Sequence, residues 1–347
     1  MKKLNLKSTF ILTSLSLSIG FQTAYAVHEN GVPCGAKDLM EYLASENGYQ
    51  SAEVMYKEAL FANADGACNN QKTQHGVDCS HKVYTYDGFI SAAKYFPTFA
   101  CTGTLEDRVR DLSGFFANVA QETYGGDGTH YDQNGGLYWR IENGGQPQAQ
   151  YDPNPNVFFA DNAFTPTEFC MNSGEGAYST GVYTFDTAIE PLRYNAVWQA
   201  SCPSQLNTPM VEALGSGNWM GHGAIQLTGD SIFYGTAEYN TITDKSMSVK
   251  DFANGLLNND EITWFSALYY WNEPKANQVT QNPPEYYMIS SNENWGFGNS
   301  IYYVNGGCNN AEQRLAFFEY FNGVLTKNVP QAKDTESQAQ KTCRAPS

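Results

Sequence analysis

The chain of 347 residues is 41% hydrophobic, 14% aromatic and 16% charged, a composition typical of a folded protein that excludes a disordered one. Its formal net charge of −16 would repel nucleic acid and anionic lipid, so we expect no nucleic acid and no membrane as partners. A neutral or weakly cationic polymer is compatible with this charge. The length allows one large domain, or one and a half smaller ones.

The first 26 residues have the pattern of a secretory signal peptide. Lys2, Lys3 and Lys7 precede an apolar run over residues 10–21, and Ala24-Tyr25-Ala26 offers a cleavage site between small residues. A membrane anchor is the weaker alternative, because the run is short and rich in serine and threonine. We therefore expect cleavage near Ala26 and a secreted or periplasmic protein.

Residues 27–67 are predicted to form a helical N-terminal extension. Apolar residues at helical spacing indicate helices over Asp38–Glu46 and Ser51–Phe61, followed by a polar loop. Another helix is predicted over Tyr84–Lys94, in a main domain that spans residues 68–326.

The strongest helix prediction covers Leu105–Glu122. Val109 and Val119 belong to an apolar stripe at helical spacing, and Glu122 lies on the same face, three residues after Val119. The glycine-rich segment 124–128 must end the helix and open a loop. Two explanations for Glu122 remain open. It caps the rim of the core against a cationic partner, or burial raises its pKa for proton donation.

A second acid, Glu142, lies in an aromatic segment two residues after Arg140. The nearby cation would keep this carboxylate ionised, as a general base requires. A surface salt bridge with Arg140 is the alternative, and Asp127 and Asp132 lie in the same loop region and could replace Glu142 as the base.

Residues 143–220 form a long insertion that is rich in Asn, Pro, Gly, Tyr and Phe, so we expect irregular or short-stranded structure. Two interpretations remain open: a border of the substrate groove, or a surface excursion. The run Gly221–Gly229 then indicates a turn or a short strand. Helices are predicted over Val249–Leu257, Ile262–Trp271 and Ala311–Leu325, and residues 327–347 form a polar tail. Because helices outnumber convincing strands, the sequence predicts a mainly α (α+β) fold.

Eight cysteines in an exported chain suggest up to four disulfides, although their pairing does not follow from the sequence. A bond between Cys170 and Cys202 is plausible, since it would close the insertion. A zinc site is disfavoured, because export favours disulfides and the spacing of its candidate ligands is irregular; these are Cys68, His75, Cys79 and His81.

Several ordered blocks together resemble glycoside hydrolase family 19, the chitinases. They span about residues 68–325 and include Gln121-Glu122-Thr123, the run Gly221–Gly229, Trp295–Gly298 and Asn305-Gly306-Gly307. The resemblance implies a lysozyme-like chitinase fold with a deep substrate cleft, and hydrolysis with inversion at the anomeric carbon. It also implies a disulfide between Cys308 and Cys343.

The resemblance further implies roles for individual residues. Glu122 would be the general acid and Glu142 the general base, roughly 6.5–9.5 Å apart with a water between them. Thr228 keeps the hydroxyl of a family serine that helps to hold this water. Arg314 would support the acidic centre through ion pairing. The candidate substrate contacts are Gln226, Asn305, Trp219 and Lys275, and Trp271 is a further candidate for the cleft wall.

Each of these assignments has a structural alternative. Gln226 could satisfy backbone groups in a tight turn, Asn305 could be a turn residue, and Arg314 could be an ordinary surface arginine of a helix. The tryptophans could pack in the core. The chain also departs from the family pattern, with Gln121 in place of a histidine beside the acid and with substitutions at His222, Ala224 and Asn309.

The function favoured by this pattern is an endochitinase that cleaves β-1,4-linked N-acetylglucosamine polymers, with no metal or organic cofactor, acting as a monomer. A peptidoglycan-cleaving hydrolase related to lysozymes and endolysins is the nearest alternative. A chitinase-like protein that binds the glycan without cutting it is the alternative from another class.

Overall fold

A computed structural model describes eight segments of the chain, which are residues 34–62, 84–123, 136–137, 223–227, 230–247, 249–272, 283–290 and 292–345. The predicted signal peptide and the insertion over residues 143–220 lie outside the described residues. No helix in the described segments is both long and apolar enough to span a bilayer.

The first half of the described chain is helical. The helices are α1 (Ala36–Glu46), α2 (Ala52–Met55) with a π-helical continuation over Tyr56–Leu60, α3 (Tyr86–Ala93) and α4 (Leu105–Glu122). Thr104 caps α4 by accepting a hydrogen bond from the backbone N–H of Asp107, whose carboxylate accepts one from the Thr104 N–H in return. This reciprocal cap fixes where the long helix begins.

The second half is helical too. It contains α5 (Asp230–Thr243), α6 (Val249–Asn258), α7 (Asp260–Asn272), α8 (Pro284–Ile289), α9 (Phe297–Asn305), α10 (Ala311–Leu325), a 3₁₀ turn (Pro330–Ala332) and α11 (Gln338–Lys341). Within the described segments only Leu227 takes part in a β-bridge. The predicted mainly α architecture is therefore confirmed, and a deep cleft stays a prediction.

The core is built around α4, which lies against α8 and α10. Phe115 and Phe116 on α4 are fully buried and meet Trp264 of α7 and Phe321 of α10 at ring-centroid distances of 5.8–6.5 Å. Such tilted and edge-to-face aromatic pairs add stability beyond the area that they bury. The helix that ends at Glu122 is therefore held rigidly along its length.

The N-terminal helices share this core. Tyr56 donates a hydrogen bond from its hydroxyl to the Tyr84 carbonyl at 2.7 Å, and Asn47 donates to the Leu325 carbonyl at 2.7 Å. A disulfide joins Cys34 to Cys101 and attaches the chain before α1 to the segment before α4. Residues 34–62 thus pack as part of the same hydrophobic core as α4.

The tail after α10 crosses the first turn of α9. Cys343 forms the disulfide with Cys308 that the family resemblance implied. The Glu336 carboxylate accepts a hydrogen bond from the Phe297 N–H at 3.1 Å. A Cβ added to Gly298 would lie 2.1 Å from the Thr342 carbonyl oxygen, so the tail approaches α9 as closely as only glycine permits.

Candidate active site

The end of α4 places Glu122 at the edge of the core. Its side chain is 20% exposed, whereas the next residue, Thr123, is fully buried. The Thr123 hydroxyl donates to the Val119 carbonyl at 2.7 Å and accepts from the Leu137 N–H at 2.6 Å. The chain therefore returns to the end of the helix at Leu137, which contacts the residue next to Glu122.

This return is tight. A Cβ on Gly136 would lie 2.7 Å from the Cα of Ala120, and Leu137 has φ 62°, a conformation unusual for a residue with a side chain. Leu137 is nevertheless 1% exposed. Strained backbone of this kind occurs preferentially at functional sites.

A buried arginine contacts Glu122 from α10. The Arg314 side chain is 2% exposed and donates from Nη2 to Oε1 of Glu122 in an ion pair. Its Nη1 donates to Oδ1 of Asn118 at 2.8 Å and its Nε to the Asn309 carbonyl at 3.4 Å. Since an unpaired buried charge is costly, this contact holds the carboxyl group firmly. The first explanation offered for Glu122 required a cationic partner, and Arg314 is that partner. A role of Glu122 in proton donation is compatible with this contact.

Asn305 is the last residue of α9 and precedes Gly306, which has φ 69°. Its side-chain oxygen Oδ1 is buried and has no hydrogen-bond partner among the described residues. Other buried polar atoms in the described segments share this property, among them Oε1 of Gln121, next to Glu122, and Nε2 of Gln313, next to Arg314. Buried polar atoms are rarely left unpaired, so each of these needs a partner that the described residues do not supply.

Gln226 lies in a turn over Gly223–Gln226 and has φ 54°. Its Nε2 donates to the Gly223 carbonyl at 2.7 Å. The sequence allowed this turn contact as the structural alternative to a role in substrate binding. A contact between Gln226 and a sugar stays a prediction. Thr228 follows the Leu227 bridge and lies outside the described residues.

Trp271 belongs to the core. It is fully buried, its Nε1 donates to Oδ1 of Asp111 at 2.7 Å, and its ring meets Phe115 edge to face. Of the two readings offered for this residue, packing is therefore the one that the structure shows.

Several predicted residues cannot be placed, because they lie outside the described segments. Glu142, Trp219 and Lys275 are among them, together with Asp127, Asp132, Cys170, Cys202 and the four candidate zinc ligands. Across the described segments no group of three or more His, Cys, Asp or Glu side chains could hold a metal ion.

Sequence reasoning missed Asn118. A polar residue within a helix is common on a solvent-exposed face, so its identity alone carries little information. The one available signal was its position, one helical turn before Glu122 and therefore on the same face.

The segment around Glu122 is similar to a glycosidase family. Residues 58–155, which include both candidate glutamates, match glycoside hydrolase family 19, described as chitinase class I. The resemblance read from the sequence blocks is therefore confirmed over this segment.

Individual relatives match over shorter stretches. Endochitinase 1 of Theobroma cacao is 33% identical over 27% of this chain, and inactive chitinase-like protein 1 of Hevea brasiliensis is 51% identical over 16% of it. The matches span 31% and 18% of the length of these two relatives. Among solved structures, chitinase C from Streptomyces griseus is 21% identical with a TM-score of 0.42, covering 75% of this chain and 90% of that one.

Proposed function

We propose that this protein is an endochitinase that hydrolyses β-1,4 linkages between N-acetylglucosamine units with inversion. The observation that carries the proposal is the fixed carboxyl group of Glu122. It lies at the edge of the core, is held by a buried arginine, and belongs to the segment that matches the chitinase family. A partly exposed acid on a rigid helix end can approach a polymer while keeping its orientation.

In this proposal Glu122 acts as the general acid. Its carboxyl group gives a proton to the glycosidic oxygen as the bond from that oxygen to the anomeric carbon breaks. Arg314 engages one oxygen, Oε1, and in this proposal the other oxygen, Oε2, faces the sugar. The same arginine stabilises the carboxylate that remains after the proton has left, because the two opposite charges are then in contact away from water.

Glu142 acts as the general base on the opposite side of the sugar. It takes a proton from a water molecule whose oxygen forms the new bond to the anomeric carbon, so that the product has inverted configuration. Thr228 helps to hold this water through its hydroxyl. We propose these two roles from the family resemblance, together with a separation of roughly 6.5–9.5 Å between the two carboxyl groups.

Substrate contacts are proposed for four residues. Asn305 is supported by its buried, unpartnered Oδ1, which would accept a hydrogen bond from the acetamido N–H of the sugar. Gln226 would contact a sugar, as the family resemblance implies. Trp219 would stack on a sugar ring, and Lys275 would donate to a hydroxyl group.

The substrate and location follow from the same reasoning. The net charge of −16 suits a neutral polymer such as chitin, and the signal-like N-terminus suits a secreted or periplasmic enzyme. We propose that the protein acts as a monomer with no metal or organic cofactor.

Turnover of chitohexaose by the purified protein tests the proposal. The wild type should release shorter oligomers, and Glu122→Gln should lower kcat/KM by about 10²- to 10⁴-fold, because an amide cannot donate the proton. Glu319→Gln is the matched control, since Glu319 is an exposed glutamate on α10 and should leave turnover unchanged. Cleavage of bacterial cell-wall sacculi alone would instead establish the peptidoglycan-cleaving alternative.

A non-catalytic glycan-binding protein is the second candidate. The similarity to an inactive chitinase-like protein of Hevea brasiliensis, 51% identical over 16% of this chain, favours it. Binding of chitohexaose by calorimetry, with no products after prolonged incubation of the wild type, would establish this function and reject hydrolysis.

A further inference from the structure

The guanidinium group of Arg314 has three acceptors in the described part of the chain, and only one belongs to Glu122. Nη2 donates to the Glu122 carboxylate, Nη1 to Oδ1 of Asn118 at 2.8 Å, and Nε to the Asn309 carbonyl at 3.4 Å. Arg314 is 1% exposed, so bulk water does not compete for these positions. The orientation of the planar group is therefore set by these protein atoms.

Asn118 is itself fixed in one orientation. It is fully buried, and its Nδ2 donates to the Gly114 carbonyl one turn earlier in α4 at 3.0 Å. This bond directs Oδ1 toward Arg314, because a flipped amide would turn its N–H groups toward the N–H groups of the guanidinium. Asn118 and Glu122 are four residues apart on one helix face, and they engage different terminal nitrogens of the same arginine.

The chemistry of Asn118 suits this position. Burying an amide among the aromatic and aliphatic residues of α4 is unfavourable unless it is hydrogen-bonded. A leucine of similar size would fill the same space but would remove an acceptor from a buried cation. An aspartate would supply the acceptor, but its charge would compete with Glu122 for Arg314. A neutral acceptor leaves Glu122 as the carboxylate partner of Arg314 in the described segments.

We propose that Asn118 is a positioning residue for the reaction: it fixes the guanidinium of Arg314 so that Nη2 faces Glu122. The carboxyl group is thereby oriented toward the sugar, and its carboxylate form is stabilised once the proton has left. This inference rests on the proposed function of Glu122 and adds a residue to it.

Two substitutions of similar size test the role through activity. Asn118→Leu removes the acceptor and should lower kcat on chitohexaose by about 10- to 100-fold, with KM within about twofold, since the acid is misplaced while sugar contacts persist. Asn118→Asp adds a negative charge beside Arg314 and one turn from Glu122. It makes loss of the Glu122 proton harder, so the alkaline limb of the kcat/KM profile should move to higher pH.

Asn272→Leu is the matched control. Asn272 is also buried in a helix and donates to the carbonyl four residues earlier, Leu268. It is not among the three acceptors of Arg314 in the described segments. Both leucine variants should lower the melting temperature, and only Asn118→Leu should lower the kcat of the folded protein. A folded Asn118→Leu with wild-type kcat, or an Asn118→Asp with an unshifted pH profile, would overturn the inference. If Asn118→Leu fails to fold, the pH profile of Asn118→Asp tests the inference in its place.

A measurement without turnover separates this inference from the proposed function. In ¹⁵N NMR of arginine-labelled protein, the Nη atoms of Arg314 should give separate signals, because each is held by a different acceptor. Asn118→Leu should release Nη1 and bring the signals together through faster rotation. Identical Nη spectra in the two proteins would refute the role of Asn118. If Asn118→Leu changes the Nη signals in this way but the wild type hydrolyses no glycan, only the proposed function is refuted.

Discussion

Glu122 and Arg314 combine two features that are individually unfavourable at the edge of a core. The charge of an arginine that is 1% exposed must be paired, and a carboxyl group at the end of an apolar helix must be stabilised. Their contact satisfies both requirements, and it joins α4 to α10 at the point where the chain returns through Leu137. The ion pair is thus a structural connection as well as the proposed catalytic support.

Asn305 offers a test of substrate binding at a single residue. Asn305→Ala should raise KM for chitohexaose several-fold, because the proposed acceptor for the acetamido group is lost. The free energy of unfolding should change by less than about 0.5 kcal/mol, since Oδ1 has no described protein partner to lose. Enzyme kinetics and chemical denaturation check the two parts.

The control for this prediction lies on the same helix. Asn299 accepts from the Gly296 N–H at 3.1 Å and donates to the Arg344 carbonyl at 3.2 Å, so Asn299→Ala should destabilise α9 measurably. A large loss of stability in Asn305→Ala, comparable to that of Asn299→Ala, would show that Asn305 has a structural role instead.

Among the helices, those with a regular apolar stripe were predictable. The bounds predicted for α4 and α10 agree with the structure at both ends, because periodic burial and clear end signals coincide there. Helices α5 and α9 were not predicted, and each contains a glycine that lies close to a neighbouring segment, Gly235 and Gly298. A Cβ at Gly235 in α5 would approach Phe252 to 3.1 Å, so this glycine serves close packing of helices. A single sequence does not distinguish such a glycine from a loop signal.

Gly298 tests this explanation at the scale of the helix. Gly298→Ala should lower the free energy of unfolding by about 1–3 kcal/mol, because the added methyl group would collide with the Thr342 carbonyl oxygen and displace the tail. Gly323→Ala in α10 is the control. Nothing lies within 4 Å of a Cβ there, so alanine should stabilise the helix by about 0.5–1 kcal/mol. If urea denaturation gives the two substitutions equal changes in the free energy of unfolding, the close-packing role of Gly298 is contradicted.

Across the whole molecule, contacts between distant segments were the least predictable. The family resemblance supplied the Cys308–Cys343 disulfide, but nothing in the sequence indicated Cys34–Cys101, which joins residues 67 positions apart. The partners of Arg314 come from α4 and from the backbone before α10, and periodicity contains no information on such pairings. The resemblance implied that Arg314 forms an ion pair in the acidic centre, whereas its pairing with Glu122 in particular and its bond to Asn118 needed coordinates.

The C-terminal tail introduces a pH dependence. Burial, reinforced by Asp334, raises the pKa of Glu336 to about 7, although Arg110, the Phe297 N–H and Lys341 act in the opposite direction. From pH 4.5 to about 7 the folded protein keeps a proton that the unfolded chain releases, so stability should fall as pH rises through this range. The loss is on the order of 3 kcal/mol.

Glu336→Gln should remove this dependence, because the neutral amide mimics the protonated acid at every pH. The variant should be more stable than the wild type at pH 8, and the two should be similar near pH 4.5. Glu319→Gln, an exposed glutamate on α10, should keep the wild-type dependence. Melting temperatures measured between pH 4 and 8 check this, and a Glu336→Gln variant that is less stable at pH 8 would refute the assignment.

The most direct test of the whole account is the anomeric configuration of the first products from chitohexaose, followed by proton NMR. An inverting reaction predicts that newly formed reducing ends appear first as the α-anomer, and that Glu122→Gln forms almost none while its fold is retained. Products that appear first as the β-anomer, or undiminished cleavage by a folded Glu122→Gln, would contradict it.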